Sequence, residues 1–303
     1  MAFLLDRFIP LRGYQITASI GYDDAHRDEK TLSEPVDPTT PAVRTSQLTR
    51  FYGTLAAVDH LDLTILPDQI FGLLGPNGAG KSTTIKMLTT LLEPSSGSAF
   101  VAGFDVAADP VNVRRRIGYV PQLLSADGAL TARENMTLSA RLYAMPRRQW
   151  KTRIPEALGF MGLEAHADQL VRTFSGGMIR RLEIAQALLH RPAVLFLDEP
   201  TIGLDPMARR AVWERLKDLR REGGVTVLMS THDMEEADEL CDNLALLHEG
   251  RMAVTGKPAE LKAAVGPEAT LEDVFAHFCG GTLREGEDFR NVQQTRKTVH
   301  RRG

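Results

Sequence analysis

The run Gly75-Pro76-Asn77-Gly78-Ala79-Gly80-Lys81-Ser82-Thr83 combines a pliable backbone, a cation and two hydroxyls in the pattern G-x-x-x-x-G-K-[ST]. Residues of these types at this spacing do phosphate chemistry. Gly75, Gly78 and Gly80, with Asn77 between them, let backbone N–H groups turn inward around phosphate oxygens, and the N-terminus of the helix that follows adds its positive charge. Lys81 is placed to reach β- and γ-phosphates, and the hydroxyl of Ser82, followed by Thr83, to ligate Mg²⁺. A second set of reactive groups follows at Asp198-Glu199. Asp198 suits Mg²⁺, held directly or through water, and Glu199 suits polarising a water against a γ-phosphate. Two adjacent acids also make a helix cap; downstream of a phosphate loop, the catalytic reading is the better one.

Other candidates are weaker one at a time. Tyr52 precedes Lys81 by a distance from which an aromatic can stack on a purine, and it reads equally as a packing aromatic. Gln122 can offer an amide oxygen to a metal or a water, or be polar surface. Ser175-Gly176-Gly177 makes a second anion site if a helix starts there, since Ser175 is a natural N-cap and the glycines bare the first-turn N–H groups; alone it reads as an ordinary helix start. His232 follows a core strand, where a lone histidine is more often structural, but shares a sheet edge with Asp198 and Glu199.

These residues need particular elements beneath them. Ile70 to Leu74 is an apolar strand before the loop, and Ser82 to Leu92 carries Ile85, Leu88, Leu91 and Leu92 on one helical face. Val194 to Leu197 is wholly apolar, the mark of a buried parallel strand, whose carboxyl end is where ligands bind in such sheets. Ile117–Val120, Val225–Met229 and Leu244–Leu247 read as further strands. Upstream, a strand from Val43 and an alternating one through Leu61, Leu63 and Ile65 form an antiparallel pair. Glu93 to Gly97 reads as a turn, Ser98 to Val101 as a short strand, and Arg114-Arg115-Arg116 as a solvated helix face.

Residues 130–172 read as mostly helical, with a capping box at Thr131 and Glu134 and a break at Pro146. A further helix runs from Ser175 to about His190, and Gly203-Leu204-Asp205-Pro206 turns into another bearing Val212, Leu216 and Leu219. Thr270 caps a last helix through Phe275. Residues 1–42 lack periodicity and read as a disordered extension or the product of a misplaced start. Residues 281–303 form a basic tail with Arg290, Arg296, Lys297, Arg301 and Arg302, with weak attraction to anionic lipid as a secondary idea.

Bulk properties exclude several classes. The 303 residues carry 43% hydrophobic and 25% charged side chains and a net charge of −3. Such a balance fits a globular protein and argues against one built to hold nucleic acid. Cys241 and Cys279 are too few for a disulfide framework and fit a reducing compartment. No stretch approaches the roughly 18 apolar residues of a membrane span, so any membrane partner supplies its own.

Together, Gly75 to Thr83, Gln122, Ser175-Gly176-Gly177, Asp198-Glu199, Asp205 and His232 resemble the nucleotide-binding subunit of ABC transporters over about residues 43–280. The wording Thr-Phe-Ser-Gly-Gly-Met-Ile-Arg-Arg-Leu-Glu-Ile-Ala, Gly-Leu-Asp-Pro and Thr270 to Phe275 is similar to the daunorubicin-resistance type. The resemblance implies an α/β P-loop NTPase with a mixed sheet core, an antiparallel β subdomain and an inserted helical subdomain at about 123–190. It implies ATP and Mg²⁺, adenine stacking on Tyr52, a general base at Glu199, a switch histidine at His232, and a glutamine at Gln122 that serves metal and coupling. Ser175, Gly176, Gly177 and Asp205 then belong to the nucleotide site. Phe174 and Met178 depart from the family's LSGGQ at its outer positions and leave the phosphate-facing residues intact.

The resemblance further implies a head-to-tail dimer around ATP, a separate ABC-2-type permease contacted near Gln122 to Ala129, and a peripheral place on the cytoplasmic membrane face. The competing reading is a permease-free ABC ATPase acting on ribosomes or DNA. Tandem duplication and long coiled-coil arms mark those branches, and this sequence has neither. A Lys81→Ala chain is expected to lose nucleotide binding in titration with a fluorescent ATP analogue; full retention of affinity would contradict the phosphate-loop reading.

Overall fold

The computed structural model describes residues 40–280; the expected extension and basic tail therefore lie outside the described residues, apart from residues 40–42. In chain order the first strands are β1 (Val43–Tyr52), β2 (Leu55–Ile65) and β3 (Ile70–Leu74), followed by helix α1 (Lys81–Leu88). Next come β4 (Ser96–Val101), β5 (Phe104–Asp105), α2 (Pro110–Arg116) and β6 (Ile117–Val120). A helical stretch holds α3 (Ala132–Leu142), α4 (Arg147–Phe160) and α5 (Gly176–Leu188). The second half of the core adds β7 (Val194–Asp198), α6 (Pro206–Glu222), β8 (Thr226–Thr231), α7 (Met234–Leu240), β9 (Asn243–His248) and β10 (Arg251–Gly256). Helices α8 (Pro258–Val265) and α9 (Leu271–Cys279) close the described chain.

The sheets separate according to how their strands are patterned. Half-buried, alternating strands make a four-stranded antiparallel sheet in the order β2-β1-β4-β5. Strands that are mostly apolar and buried, with the half-exposed β10 at one edge, make a six-stranded sheet, β10-β9-β3-β8-β7-β6, in which only β10 runs antiparallel to its neighbour. Every residue of β3, β7 and β8 is buried because both faces of this sheet are covered. Successive side chains point to opposite faces, so Leu195 and Leu197 join a core with α3 to α7 and α9. Val194 and Phe196 join the other core, with α1, α2 and the antiparallel sheet. The sheet is therefore a partition between two hydrophobic cores.

Local chemistry explains most element ends. Thr131 and Glu134 make the expected capping box on α3, Thr270 and Asp273 make one on α9, and Ser175 accepts the Met178 N–H at the start of α5. Three expectations differ at boundaries. The helix after the phosphate loop stops at Leu88, because Thr90 turns left-handed (φ 62°) and the N–H groups of Thr90 and Leu91 close back on the Met87 and Lys86 carbonyls. Leu91 consequently leaves the core face and is 61% exposed. Ser96 and Gly97, read as turn, begin β4 because Ser96 pairs with Thr49 of β1. The helix from Ser175 ends at Leu188, two residues short of His190.

Phe196 has no exposed surface and fills the core beneath α1. Phe196→Ala is expected to cost about 3–5 kcal/mol of unfolding free energy, the usual loss for a large buried aromatic, measured by denaturant titration.

Candidate functional site

Site chemistry collects at the carboxyl ends of β3, β7 and β8, which are adjacent in the sheet. The chain leaves β3 into the glycine loop, whose tip, Asn77 and Gly78, is exposed and whose base is buried. Gly80 serves as N-cap of α1 at φ 100°, and a Cβ there would lie 2.5 Å from the Ala57 carbonyl oxygen. Only glycine fits, and with no side chain capping α1 its first-turn N–H groups remain available for an anion. The same contact seats the loop against β2. Since Tyr52 pairs with Leu55 at the β1–β2 turn, that turn stands near the loop.

Lys81 is 5% exposed, and its ammonium donates to the carbonyls of Gly75 (2.7 Å) and Pro76 (3.1 Å). Its Nζ also lies 3.4 Å from Glu199 Oε1. Burial pulls the lysine pKa down, and the charges of Glu199 and Asp198 pull against it. Glu199 itself leaves β7 with a left-handed backbone (φ 49°), an uncommon conformation for a glutamate that turns its carboxylate back toward the loop. Its Oε2 accepts a hydrogen bond from His232 Nδ1 at 3.0 Å. Burial alone would raise the Glu199 pKa; His232 and Lys81 outweigh it and hold the carboxyl below its ordinary value. The hydrogen bond to Glu199 raises that of His232.

Asp198 is 3% exposed and accepts two hydroxyls on Oδ1, from Ser82 at 2.8 Å and from Ser230 at 2.6 Å. Ser82, in the first turn of α1, and Asp198, at the end of β7, thus present a hydroxyl and a carboxylate together. This is the sparse oxygen donor set that Mg²⁺ accepts when phosphates and waters complete its shell. Among the described residues no group of three or more His, Cys, Asp or Glu is arranged to hold a metal. A metal here would accordingly share its coordination with a nucleotide.

Other expected residues stand apart from this group. The side chain of Tyr52, 48% exposed, carries the Arg50 guanidinium 5.2 Å from its ring centroid. Gln122 is exposed, and its own carbonyl accepts from Arg180 Nη2 at 2.7 Å. Ser175, Gly176 and Gly177 sit at the start of α5 beside the start of α6. A Cβ on Gly177 would come 2.6 Å from that of Ala208, so this glycine is required by helix packing whatever else it does. Asp205 accepts the Met207 and Ala208 N–H groups as N-cap of α6. Among the described residues, no hydrogen bond joins Ser175, Gly176 or Gly177 to Lys81, Asp198 or Glu199.

Sequence reasoning assigned no role to several residues that organise the site. Ser230 holds Asp198 through its hydroxyl and also receives the Glu199 N–H, at 3.0 Å on Oγ. Glu236, 1% exposed, accepts Thr201 Oγ1 at 2.6 Å and Trp213 Nε1 at 3.0 Å, tying the segment after Glu199 to the segment after His232. Arg180 and Glu183 form a buried ion pair at 3.1 Å beneath the Gln122 loop. The available signal was a polar residue inside an apolar strand or on the buried face of a helix. Its partner was not visible.

Known proteins resemble this chain in sequence and in fold. A family model described as ABC transporter matches residues 58–202. The daunorubicin/doxorubicin resistance ATP-binding protein of Streptomyces peucetius is 45% identical over 227 residues, covering 75% of this chain and 68% of that protein. The Nod factor export ATP-binding protein I of Cupriavidus metallidurans is 44% identical over 222 residues, 73% of each. Among solved structures, an ATP-binding subunit of an ABC transporter superposes with TM-score 0.70 at 30% identity, over 79% of this chain and 100% of that one. An ATP-binding cassette solved as a dimer in a post-hydrolysis state with ADP and Pi gives 0.64 at 28% identity, over 71% and 98%.

The Glu199–His232 pair makes stability depend on pH with a defined sign. A raised histidine pKa contributes fully below the unfolded value of 6.5 and is lost as pH rises through the folded value. A lowered glutamate pKa contributes fully above 4.5 and is lost as pH falls through its folded value. The stability difference between the wild type and His232→Ala is therefore expected to be greatest between these two values and to shrink above the upper one. His232 is 45% exposed, which limits the difference to about 1 kcal/mol or less. Denaturant melts across pH check this, and a difference that stays flat would dissolve the pair.

Proposed function

The chain belongs to the ABC transporter family, and on that premise we propose that it is the ATP-hydrolysing subunit of an exporter for drug-like or other hydrophobic compounds. The observation that carries the catalytic part is the single Glu199 carboxylate held between Lys81 and His232. Glu199 neutralises Lys81. A triphosphate entering the loop takes that partnership over, and the freed carboxylate can draw a proton from a water aligned on the γ-phosphorus. As the water oxygen bonds to phosphorus, the bond to the β–γ bridging oxygen breaks, and ADP and phosphate leave. Lys81 and the first-turn amides of α1 stabilise charge on the phosphate oxygens, and His232 holds Glu199 in line. Bound Mg²⁺ would neutralise the phosphates further, with Ser82, Asp198 and Gln122 as the residues to hold it.

Two copies are needed for the rest. Ser175, Gly176 and Gly177 form an anion-directed helix start that no hydrogen bond ties to Lys81 within one chain, so we assign it to the nucleotide on a second copy. Tyr52, on the turn beside the loop, stacks on adenine. The helical region, about 123–190, is the proposed inserted subdomain. Among the described residues no helix is long and apolar enough to cross a membrane. The proposed permease is a separate ABC-2-type protein, with this subunit on its cytoplasmic face. The substrate class rests on the named export relatives in Streptomyces and Cupriavidus.

Glu199→Gln is expected to keep ATP affinity, to slow turnover by on the order of 10² or more, and to elute as a dimer at saturating MgATP. Turnover at the wild-type rate would remove Glu199 from catalysis, and a strictly monomeric variant would remove the second copy.

A further inference from the structure

A guanidinium even less exposed than the Lys81 ammonium lies one turn into α5, outside the catalytic group. Arg180 is 2% exposed and spends its fork on main chain: Nη1 donates to the Pro121 carbonyl and Nη2 to the Gln122 carbonyl, each at 2.7 Å. Glu183, 3% exposed, pairs with Nη1 through Oε2. Its Oε1 accepts the Ser125 N–H, the Ser125 hydroxyl (3.1 Å) and the Ala126 N–H (3.3 Å). The two side chains thus grip both ends of the segment from Pro121 to Ala126. The Gln122 amide and the side chains of Leu123 and Leu124 remain outside that grip, exposed.

Stability is a poor reason for this arrangement. A buried ion pair seldom outdoes apolar residues of the same volume, and Arg180 Nε is buried without an acceptor, which adds a desolvation cost. What the pair achieves is mechanical. Pro121 and Gln122 leave the end of β6, while Ser175 caps the helix that carries the pair. A loop gripped by α5 at four backbone groups follows α5 when it shifts relative to β6.

We propose that Arg180 and Glu183 are positioning residues that fix the Gln122 loop to the serine-diglycine helix, so that placement of α5 sets the reach of the Gln122 amide into the phosphate site. This rests on the ATPase reading above. It makes closure of the Ser175 corner and engagement of Gln122 one event in the same chain.

The test uses the full chain with Arg180→Met/Glu183→Leu, which removes both charges together, and with the milder Arg180→Lys, whose single ammonium cannot span both carbonyls while keeping Glu183 paired. Each is made with and without Gln122→Ala. If the grip acts through Gln122, either variant lowers kcat by on the order of 10² with KM for ATP nearly unchanged, and the loss disappears in the Gln122→Ala background. Equal losses in both backgrounds would overturn the proposal, since a merely structural pair weakens both alike. Arg180→Lys decides the matter if the double variant fails to fold. A wild type that turns over no ATP would defeat the ATPase reading instead. Hydrogen exchange then decides: protection of the Ser125 and Ala126 amides on adding MgATP, lost in Arg180→Lys, supports the grip, and unchanged protection sinks it.

Discussion

An ammonium with almost no water around it organises this molecule. Lys81 sits 5% exposed at the start of α1, and its charge must be met by protein. Two loop carbonyls and the Glu199 carboxylate meet it. The carbonyls come from the loop and the carboxylate from the end of β7, so the lysine is satisfied only when the loop, α1 and β7 stand together. The same dryness that makes the charge expensive strengthens its hold on an anion, because the field is little screened.

The sheet explains why these elements meet. Strand β3 lies between β8 and β9, and β7 lies on the far side of β8. Their registers align Asp198 with Ser230 and Leu74 with Thr231, which brings the ends of all three strands to one edge. Two hydrophobic cores, one on each face, hold that edge rigid. The geometry of the proposed site is thereby carried by buried strands, with only short segments beyond them.

Buried polar residues beyond the phosphate loop repeat one device. Ser230 fixes Asp198 and the Glu199 amide, Glu236 joins Thr201 to Trp213, and Arg180 with Glu183 grips the Gln122 loop. Each spans segments that are distant in sequence and adjacent at the site. Replacing such groups by apolar ones can be neutral for stability. Their worth is in holding loops whose own contacts are too few to set their position.

From the residues alone, much of this protein was already determined. The phosphate loop, the apolar parallel strands and the caps at Thr131, Ser175 and Thr270 depend on spacing and propensity within a few positions, and such short-range rules survive folding. The order of the motifs also carried the family and the α/β class. Boundaries yielded less readily: Leu91 fits the helical period, yet a left-handed Thr90 ends the helix first. Tertiary structure alone decided that Glu199 bridges Lys81 and His232, that Ser230 holds both acids, that Glu236 ties Thr201 to Trp213, and that Gly177 is demanded by Ala208. Those contacts depend on strand register and helix packing between distant segments. Polar partners separated by tens of residues leave no periodic trace in the chain, whereas hydrophobic faces do.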